Sequence, residues 1–79
     1  MFERIFVDPR VCGGKPCIKG TRIPVAMVLE LLEDGLSFDE ILTDYYPTLT
    51  RADIKACIEY ARWLVEGEEV YFIEETMTV

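Results

Sequence analysis

Three stretches of this chain repeat apolar residues at the spacing i, i+3, i+4, i+7, which places them on one face of a helix. The apolar positions are Val25, Val28, Leu29 and Leu32, then Phe38, Ile41, Leu42 and Tyr45, and finally Ile54, Cys57, Ile58, Ala61 and Val65. A chain of 79 residues has room for one domain, in which each apolar face must be covered by the others. The pattern predicts a single mainly α domain, 1–79, with a three-helix core over residues 24–66.

Residues at the boundaries of these stretches support the same assignment. Pro24 suits the first position of a helix because its missing N–H costs nothing there, and Gly35 is typical of a helix end. Ser37–Glu40 matches a capping box, and Thr50–Asp53 is a weaker variant of it. A short turn at residues 46–49 joins the last two helices, which is the outline of a helix-turn-helix.

Extended structure is expected on both sides of the helical core. Residues 1–23 contain the β-prone run Ile5-Phe6-Val7 and two glycine-containing turns, which predict a small irregular β-hairpin. In the tail, residues 67–79, the run Val70-Tyr71-Phe72-Ile73 lies between pairs of glutamates and predicts a short C-terminal strand. That strand could pair with the N-terminal run or add to a partner protein.

Charge is distributed unevenly along the chain. The net charge is −7, with about +3 over residues 1–24 and about −10 over residues 25–79. Overall acidity disfavours strong non-specific binding to nucleic acid, although the basic segment permits local contact. The candidates for DNA contact are Lys15, Lys19, Arg22, Arg51, Lys55 and Arg62. Arg51, Lys55 and Arg62 share one face of the third helix. This arrangement fits DNA contact and a solvated surface of mixed charge equally well.

Catalysis is excluded by what the sequence lacks. It contains no histidine, so the commonest general base and the usual partner of a nucleophilic serine or cysteine are missing. Its three cysteines do not form a CxxC pair, and without an export signal they are expected to be reduced thiols. No apolar run reaches the length of a membrane span. We therefore expect a cytoplasmic protein that is not an enzyme and has no metal or cofactor.

Several motifs together resemble the domain of unknown function 433 family, from about residue 4 to residue 66. They are Val7-Asp8-Pro9, Gly13-Gly14-Lys15-Pro16-Cys17-Ile18, Gly20-Thr21-Arg22-Ile23-Pro24-Val25, Gly35-Leu36-Ser37, Glu40-Ile41, Tyr46-Pro47-Thr48-Leu49-Thr50 and Asp53-Ile54. The resemblance implies a homeodomain-like helix-turn-helix preceded by a β-hairpin. It also implies an antitoxin of a prokaryotic type II toxin–antitoxin module, similar to the virulence-associated-protein-B class, whose partner is a PIN-like ribonuclease.

On this basis the expected function is to bind and neutralise that toxin, and to bind operator DNA as a homodimer. The candidate toxin-binding residues are Val70, Tyr71, Phe72 and Ile73. Two alternatives remain open. The protein could be a stand-alone DNA-binding transcriptional regulator, or a dimeric adaptor that binds no nucleic acid.

Overall fold

Residues 2–67 are described by the computed structural model, in which a two-stranded hairpin precedes three helices. The elements are β1 (Ile5–Phe6), a 3-10 turn (Cys12–Gly14), β2 (Cys17–Ile18), α1 (Val25–Glu33), α2 (Phe38–Glu40) continued by a π-helical segment (Ile41–Tyr45), and α3 (Arg51–Glu66). The prediction of a mainly α fold with an N-terminal hairpin is confirmed. The predicted C-terminal strand lies outside the described residues.

The hairpin leads directly into the first helix. β1 and β2 are antiparallel, with Ile5 opposite Ile18 and Phe6 opposite Cys17. On its other side Cys17 forms a bridge with Pro24, and the backbone N–H of Val25 donates to the carbonyl of Pro16 at 2.9 Å. These contacts hold Pro24 in an extended conformation, with φ −68° and ψ 144°. Pro24 is therefore the N-cap of α1, and our prediction that it occupies the first helical position is wrong by one residue.

The end of α1 is a Schellman motif built around Gly35. Gly35 has φ +94°, a conformation that glycine adopts without steric cost. Its N–H donates to the carbonyl of Leu32 at 3.0 Å, and the N–H of Leu36 donates to the carbonyl of Leu31 at 3.2 Å. Two carbonyls at the end of the helix are thereby satisfied, as the sequence predicted for a helix ending at this glycine.

Both capping boxes are present. The Oγ of Ser37 accepts from the N–H of Glu40 at 3.1 Å, and the Glu40 carboxylate accepts from the N–H of Ser37 at 2.9 Å. At the start of α3, Thr50 and Asp53 make the equivalent bonds at 3.3 and 2.9 Å. Each box provides acceptors for two backbone N–H groups that have no partner within the helix.

The second helix ends differently from the regular helix that its spacing predicts. After Glu40 the chain widens into the π-helical segment, and the N–H of Tyr46 donates to the carbonyl of Ile41 at 2.8 Å. The reason lies in Pro47, which disfavours the helical conformation at the residue before it. Tyr46 leaves the helix with φ −130° and ψ 74°, and the wider turn still provides an acceptor for its N–H.

All the main elements contribute to one core. Its buried residues are Ile5, Ile18, Val25, Val28, Ile41, Leu49, Ile54 and Cys57. Leu49 precedes the N-cap of α3 and is buried in the same cluster as Ile54, four residues into that helix. This is the position of a hydrophobic staple, which fixes the angle at which the chain enters α3.

The cysteines differ from the expectation of three reduced thiols. Cys12 and Cys17 are joined by a disulfide, so the expectation is wrong for this pair. The 3-10 turn brings their α-carbons to 6.8 Å, within the range of about 4.4–6.8 Å that a disulfide can bridge. Cys57 is a free thiol in the core. Burial, reinforced by the Asp53 carboxylate, raises the pKa of Cys57 to about 12.

Removing the cap of α3 should weaken the fold measurably. We predict that Thr50→Ala lowers the free energy of unfolding by about 1 kcal/mol, because the N–H of Asp53 loses its side-chain acceptor. Urea unfolding followed by circular dichroism would measure the change. Thr50→Ser is the matched control, since it keeps the hydroxyl and should stay close to wild type.

Candidate functional site

An apolar groove runs between the start of α1 and the second half of α3, with the loop before β2 at its edge. We call it the α1–α3 groove. It is lined by Lys15, Pro16, Val25, Ala26, Leu29, Tyr60, Ala61 and Leu64. Its volume is about 190 Å³, below the roughly 300–1,000 Å³ typical of small-molecule pockets. The groove therefore suits a few apolar side chains of a polypeptide better than a cofactor.

The apolar face of α3 extends beyond the body of the protein. Ile54 and Cys57 are fully buried in the core. Ala61 and Leu64 follow on the same face, at the spacing of successive helical turns. There the burial ends, since Leu64 is 48% exposed and the adjacent Val65 is 71% exposed. The last two turns of α3 thus present apolar side chains to solvent beside the groove.

An aromatic cluster borders this end of α3. The ring of Phe2 lies 5.3 Å from that of Tyr60 and 5.5 Å from that of Trp63, both in edge-to-face arrangements. The centroids of Tyr60 and Trp63 are 5.9 Å apart. Such pairs contribute beyond the area they bury. The cluster attaches the N-terminal segment to the second half of α3 and limits movement of the helix relative to the hairpin.

The predicted basic residues of α3 are all exposed, as their shared face requires, but two of them make ion pairs. Arg51 Nη1 lies 2.7 Å from Asp39 Oδ1, and its guanidinium lies over the ring of Phe38 at 5.1 Å. Arg62 Nε lies 3.8 Å from Glu66 Oε1. Pairs this exposed contribute little stability, so both arginines could exchange a carboxylate for a phosphate.

The basic residues of the hairpin segment are separated by the fold. Lys15 lies at the α1–α3 groove. Lys19 lies elsewhere, since its N–H donates to the carbonyl of Arg4 at 2.7 Å. Arg22 is exposed in the turn before α1. Lys15 and Lys19 therefore lie at different parts of the fold.

Arg4 lies near Lys55 of α3, although it was not among the sequence candidates for DNA contact. Its Nη1 lies 3.0 Å from Asp53 Oδ1, and with Lys55 it lines a shallow depression on the outer side of α3. Glu3 and Glu59 line the same depression and reduce its positive potential. No local pattern could have identified Arg4, because Asp53 is 49 residues away in the sequence.

The acidic residues of the helix starts have structural roles. Glu40 and Asp53 accept the capping hydrogen bonds, and Asp39 pairs with Arg51. Within residues 2–67 no group of three or more histidine, cysteine or acidic residues is arranged to hold a metal ion. Over the same range, no helix is both long and apolar enough to cross a membrane.

Asp53 is the most constrained carboxylate of the surface. Its partial burial by itself raises the pKa, but the hydrogen bond from the backbone N–H of Thr50 and the Arg4 guanidinium together outweigh that effect. The net result is a pKa of Asp53 below its ordinary value of 3.8. The ionised form is therefore favoured by folding.

The toxin-binding candidates Val70, Tyr71, Phe72 and Ile73 lie outside the described residues. In the sequence, Glu68 and Glu69 separate them from Gly67, the C-cap of α3. They thus follow the exposed apolar end of α3 in the sequence, by only a few residues.

Comparison with known proteins assigns the chain to a family. The model of DUF433, described as a protein of unknown function, matches residues 5–61. The chain belongs to the DUF433 family. A crystal structure of a DUF433 member from Anabaena variabilis is similar to it, with a TM-score of 0.72 and 36% identity over 80% of this chain. The match spans 61% of the length of that protein.

A second comparison concerns a shorter protein. An uncharacterized protein from Archaeoglobus fulgidus is 67% identical over 24 residues, which are 30% of this chain and 67% of that protein. The family match covers the hairpin and all three helices up to Ala61, and ends before the exposed last turn of α3.

The lowered pKa of Asp53 predicts how the stability of the protein depends on pH. Because the pKa of Asp53 is lowered by folding, its stabilising contribution is present above pH 3.8 and is lost as the pH falls through the folded-state pKa. The difference in unfolding free energy between wild type and Asp53→Asn should therefore be largest near neutral pH and shrink in acid. Urea unfolding at a series of pH values would measure it. Asp44→Asn, at an exposed carboxylate outside the α3 cap, is the control; an equal pH dependence for both variants would contradict the assignment.

Proposed function

We propose that this DUF433 protein is an antitoxin of a prokaryotic type II module, which binds and neutralises a PIN-like ribonuclease. The observation that carries the proposal is the apolar surface formed by the α1–α3 groove and the exposed end of α3, next to an acidic and apolar tail. An exposed surface of this kind is typical of a protein that binds another macromolecule. The choice of a PIN-like ribonuclease as the partner rests on the family resemblance described in the sequence analysis.

The tail has the chemistry expected for such a partner. Glu68, Glu69, Glu74 and Glu75 are placed on both sides of the apolar run Val70–Ile73. A ribonuclease binds a polyanion, so its substrate groove is basic and would attract these carboxylates. The apolar run supplies side chains to bury and a backbone that can add to the edge of a sheet.

Binding is favoured over catalysis by the roles that the described side chains already have. The capping carboxylates Glu40 and Asp53 are occupied by hydrogen bonds. The thiol of Cys57 is buried and its raised pKa keeps it protonated, which makes it a poor nucleophile. The chain also has no histidine to act as a general base.

Changing the tail should abolish neutralisation. The test variant replaces Val70, Tyr71, Phe72 and Ile73 by serine, and each protein is co-expressed with the product of the adjacent gene. We expect the wild type to co-purify with that product and suppress its ribonuclease activity, and the variant to lose at least about tenfold in affinity because its apolar anchors are gone.

The matched control is Thr76→Ala with Thr78→Ala, two changes in the same tail outside the apolar run. It should neutralise like the wild type. Neutralisation by the serine variant would contradict the assignment of the toxin-binding residues. An adjacent product that is not a nuclease and forms no complex would remove the antitoxin proposal altogether.

A second proposed role is binding of operator DNA by a homodimer, with α2 and α3 as a homeodomain-like helix-turn-helix pair. The observation favouring it is that Arg4 and Lys55 line one depression at the outer side of α3, and that the backbone N–H of Lys19 donates to the carbonyl of Arg4. Arg51 and Arg62 are exposed on α3 and are separated from Lys55 by four and seven residues, the spacing of one helix face. In such a pair the second helix contacts the bases and neighbouring cations contact phosphates.

DNA binding can be tested with the DNA upstream of the gene. We predict that Lys55→Ala weakens binding and lowers the salt dependence by about one ion, because one phosphate contact is lost. Lys15→Ala is the control, since Lys15 lies at the groove instead. Fluorescence anisotropy at several salt concentrations would measure both. Absence of binding even at low salt would exclude this role and the stand-alone regulator, and would favour the adaptor.

A further inference from the structure

The α1–α3 groove continues along α1 into an acidic depression. Ala26 and Leu29 line both the groove and the depression, whereas Glu30, Glu33 and Asp34 line the depression only. Ala26, Leu29 and Glu33 follow one another at intervals of three and four residues, so they form one stripe along the helix. We call this stripe the α1 face. It is apolar in its first half, beside the groove, and acidic in its second.

The acidic residues of α1 lie at the end of the helix where negative charge is least favourable. Glu33 is the last residue of α1, and Asp34 is its C-cap. The C-terminal end of a helix carries a partial negative charge, so carboxylates there are destabilising. Within residues 2–67, neither of them forms an ion pair, and nor does Glu30. A positive group from another molecule would therefore stabilise this end of α1.

The opposite end of α1 has the complementary charge. Lys15 lies there, because it precedes Pro16, whose carbonyl accepts the N–H of Val25 at 2.9 Å. Lys15 is exposed at the edge of the groove and forms no ion pair with any other described residue. The first turn of α1 contains no acidic residue to balance the partial positive charge of the helix start. The two ends of α1 thus present opposite charges on the same side of the molecule.

Two copies of the α1 face are complementary when they meet antiparallel. We propose that a second copy of the chain covers the α1 face and the groove, related to the first by a two-fold axis beside Leu29. Leu29 is the middle residue of α1, so Val25 of one copy is then level with Glu33 of the other. Glu33 of each copy meets Lys15 and the helix start of the other, and the same contact occurs twice, as a two-fold interface requires.

The apolar half of the α1 face is suited to the centre of this contact. Leu29 of one copy packs against Leu29 of the other at the axis. Ala26 is small and exposed, so it allows the two helix backbones to approach closely. The contact removes the apolar lining of the groove from water, which is favourable for a domain of this size because its own core is small.

The same interface leaves the other surfaces of the molecule accessible. The residues that line the groove and those that line the depression of Arg4 and Lys55 have no member in common, so the DNA-contact candidates of α3 stay exposed in the dimer. Val65 is exposed and does not line the groove, and it stays available to a toxin. The inference supplies the interface of the homodimer in the proposed DNA-binding role, and it rests on that role for its biological use.

The charge pairing can be tested through the monomer–dimer equilibrium of the full chain, measured by sedimentation equilibrium without DNA or toxin. Lys15→Glu should weaken dimerisation by at least about tenfold, because two carboxylates then meet at both ends of the contact. Lys15→Glu combined with Glu33→Lys should restore dimerisation, since the pair is re-formed with its charges exchanged. Lys19→Glu is the matched control. It changes the net charge equally at an exposed residue that does not line the groove, and it should leave dimerisation unchanged.

A second pair of variants separates this contact from general repulsion between two acidic chains. Glu30 is adjacent to Leu29, so the two copies of Glu30 repel each other near the axis, whereas Glu33 meets Lys15. We expect Glu30→Gln to strengthen dimerisation and Glu33→Gln to weaken it, each by about threefold. Both changes make the chain less negative by one charge, so general repulsion alone would strengthen dimerisation in both variants.

Three results would overturn the proposal: a wild type that stays monomeric at millimolar concentration, a dimer that Lys15→Glu does not weaken, or a double variant that fails to restore it while circular dichroism shows it folded. A monomeric wild type whose Glu33→Lys variant no longer co-purifies with the product of the adjacent gene would assign the α1 face to the toxin instead. Because the equilibrium is measured on the protein alone, its failure is distinguishable from failure to bind DNA or a ribonuclease.

Discussion

The carboxylate of Asp53 joins two parts of this fold that are far apart in the sequence. Through the backbone N–H of Thr50 it completes the cap of α3, and through the guanidinium of Arg4 it connects that helix to the hairpin. One side chain thus contributes both to the start of α3 and to the contact between that helix and the hairpin segment. The walls of the groove belong to α1, α3 and the loop before β2, so the groove likewise requires the helices and the hairpin segment to keep their relative positions.

The helices could be predicted because their determinants are local. Ser37 and Glu40 are three residues apart, and Gly35 ends α1 with bonds to carbonyls of the preceding turn. Spacing and caps therefore sufficed for the three helices and both boxes. The position of Pro24 was missed by one residue, because a bridge to Cys17 holds it extended. The π-helical segment was missed since the spacing does not reveal how the chain approaches Pro47.

The candidate site was less predictable, because it is formed by residues distant in sequence. The sequence grouped Lys15 with Lys19, whereas the hairpin directs the former to the groove and the latter toward Arg4. Arg4 was not predicted as a site residue, because its partner Asp53 is 49 positions away in the sequence. No sequence motif marks the groove, because its walls come from α1 and α3, which are separate stretches of the chain. The disulfide between Cys12 and Cys17 depends on a turn that spacing alone does not define.

The reactivity of the buried thiol of Cys57 is a measure of how often the core opens. Cys57 is completely enclosed by the core, and its proton is retained well into the alkaline range because the pKa is about 12. The thiolate is the form that attacks alkylating reagents, so Cys57 of the folded chain is protected both by its burial and by its protonation. The rate of alkylation of Cys57 therefore reports how often α3 separates from the core. Cys12 and Cys17 do not react, because they are joined in the disulfide.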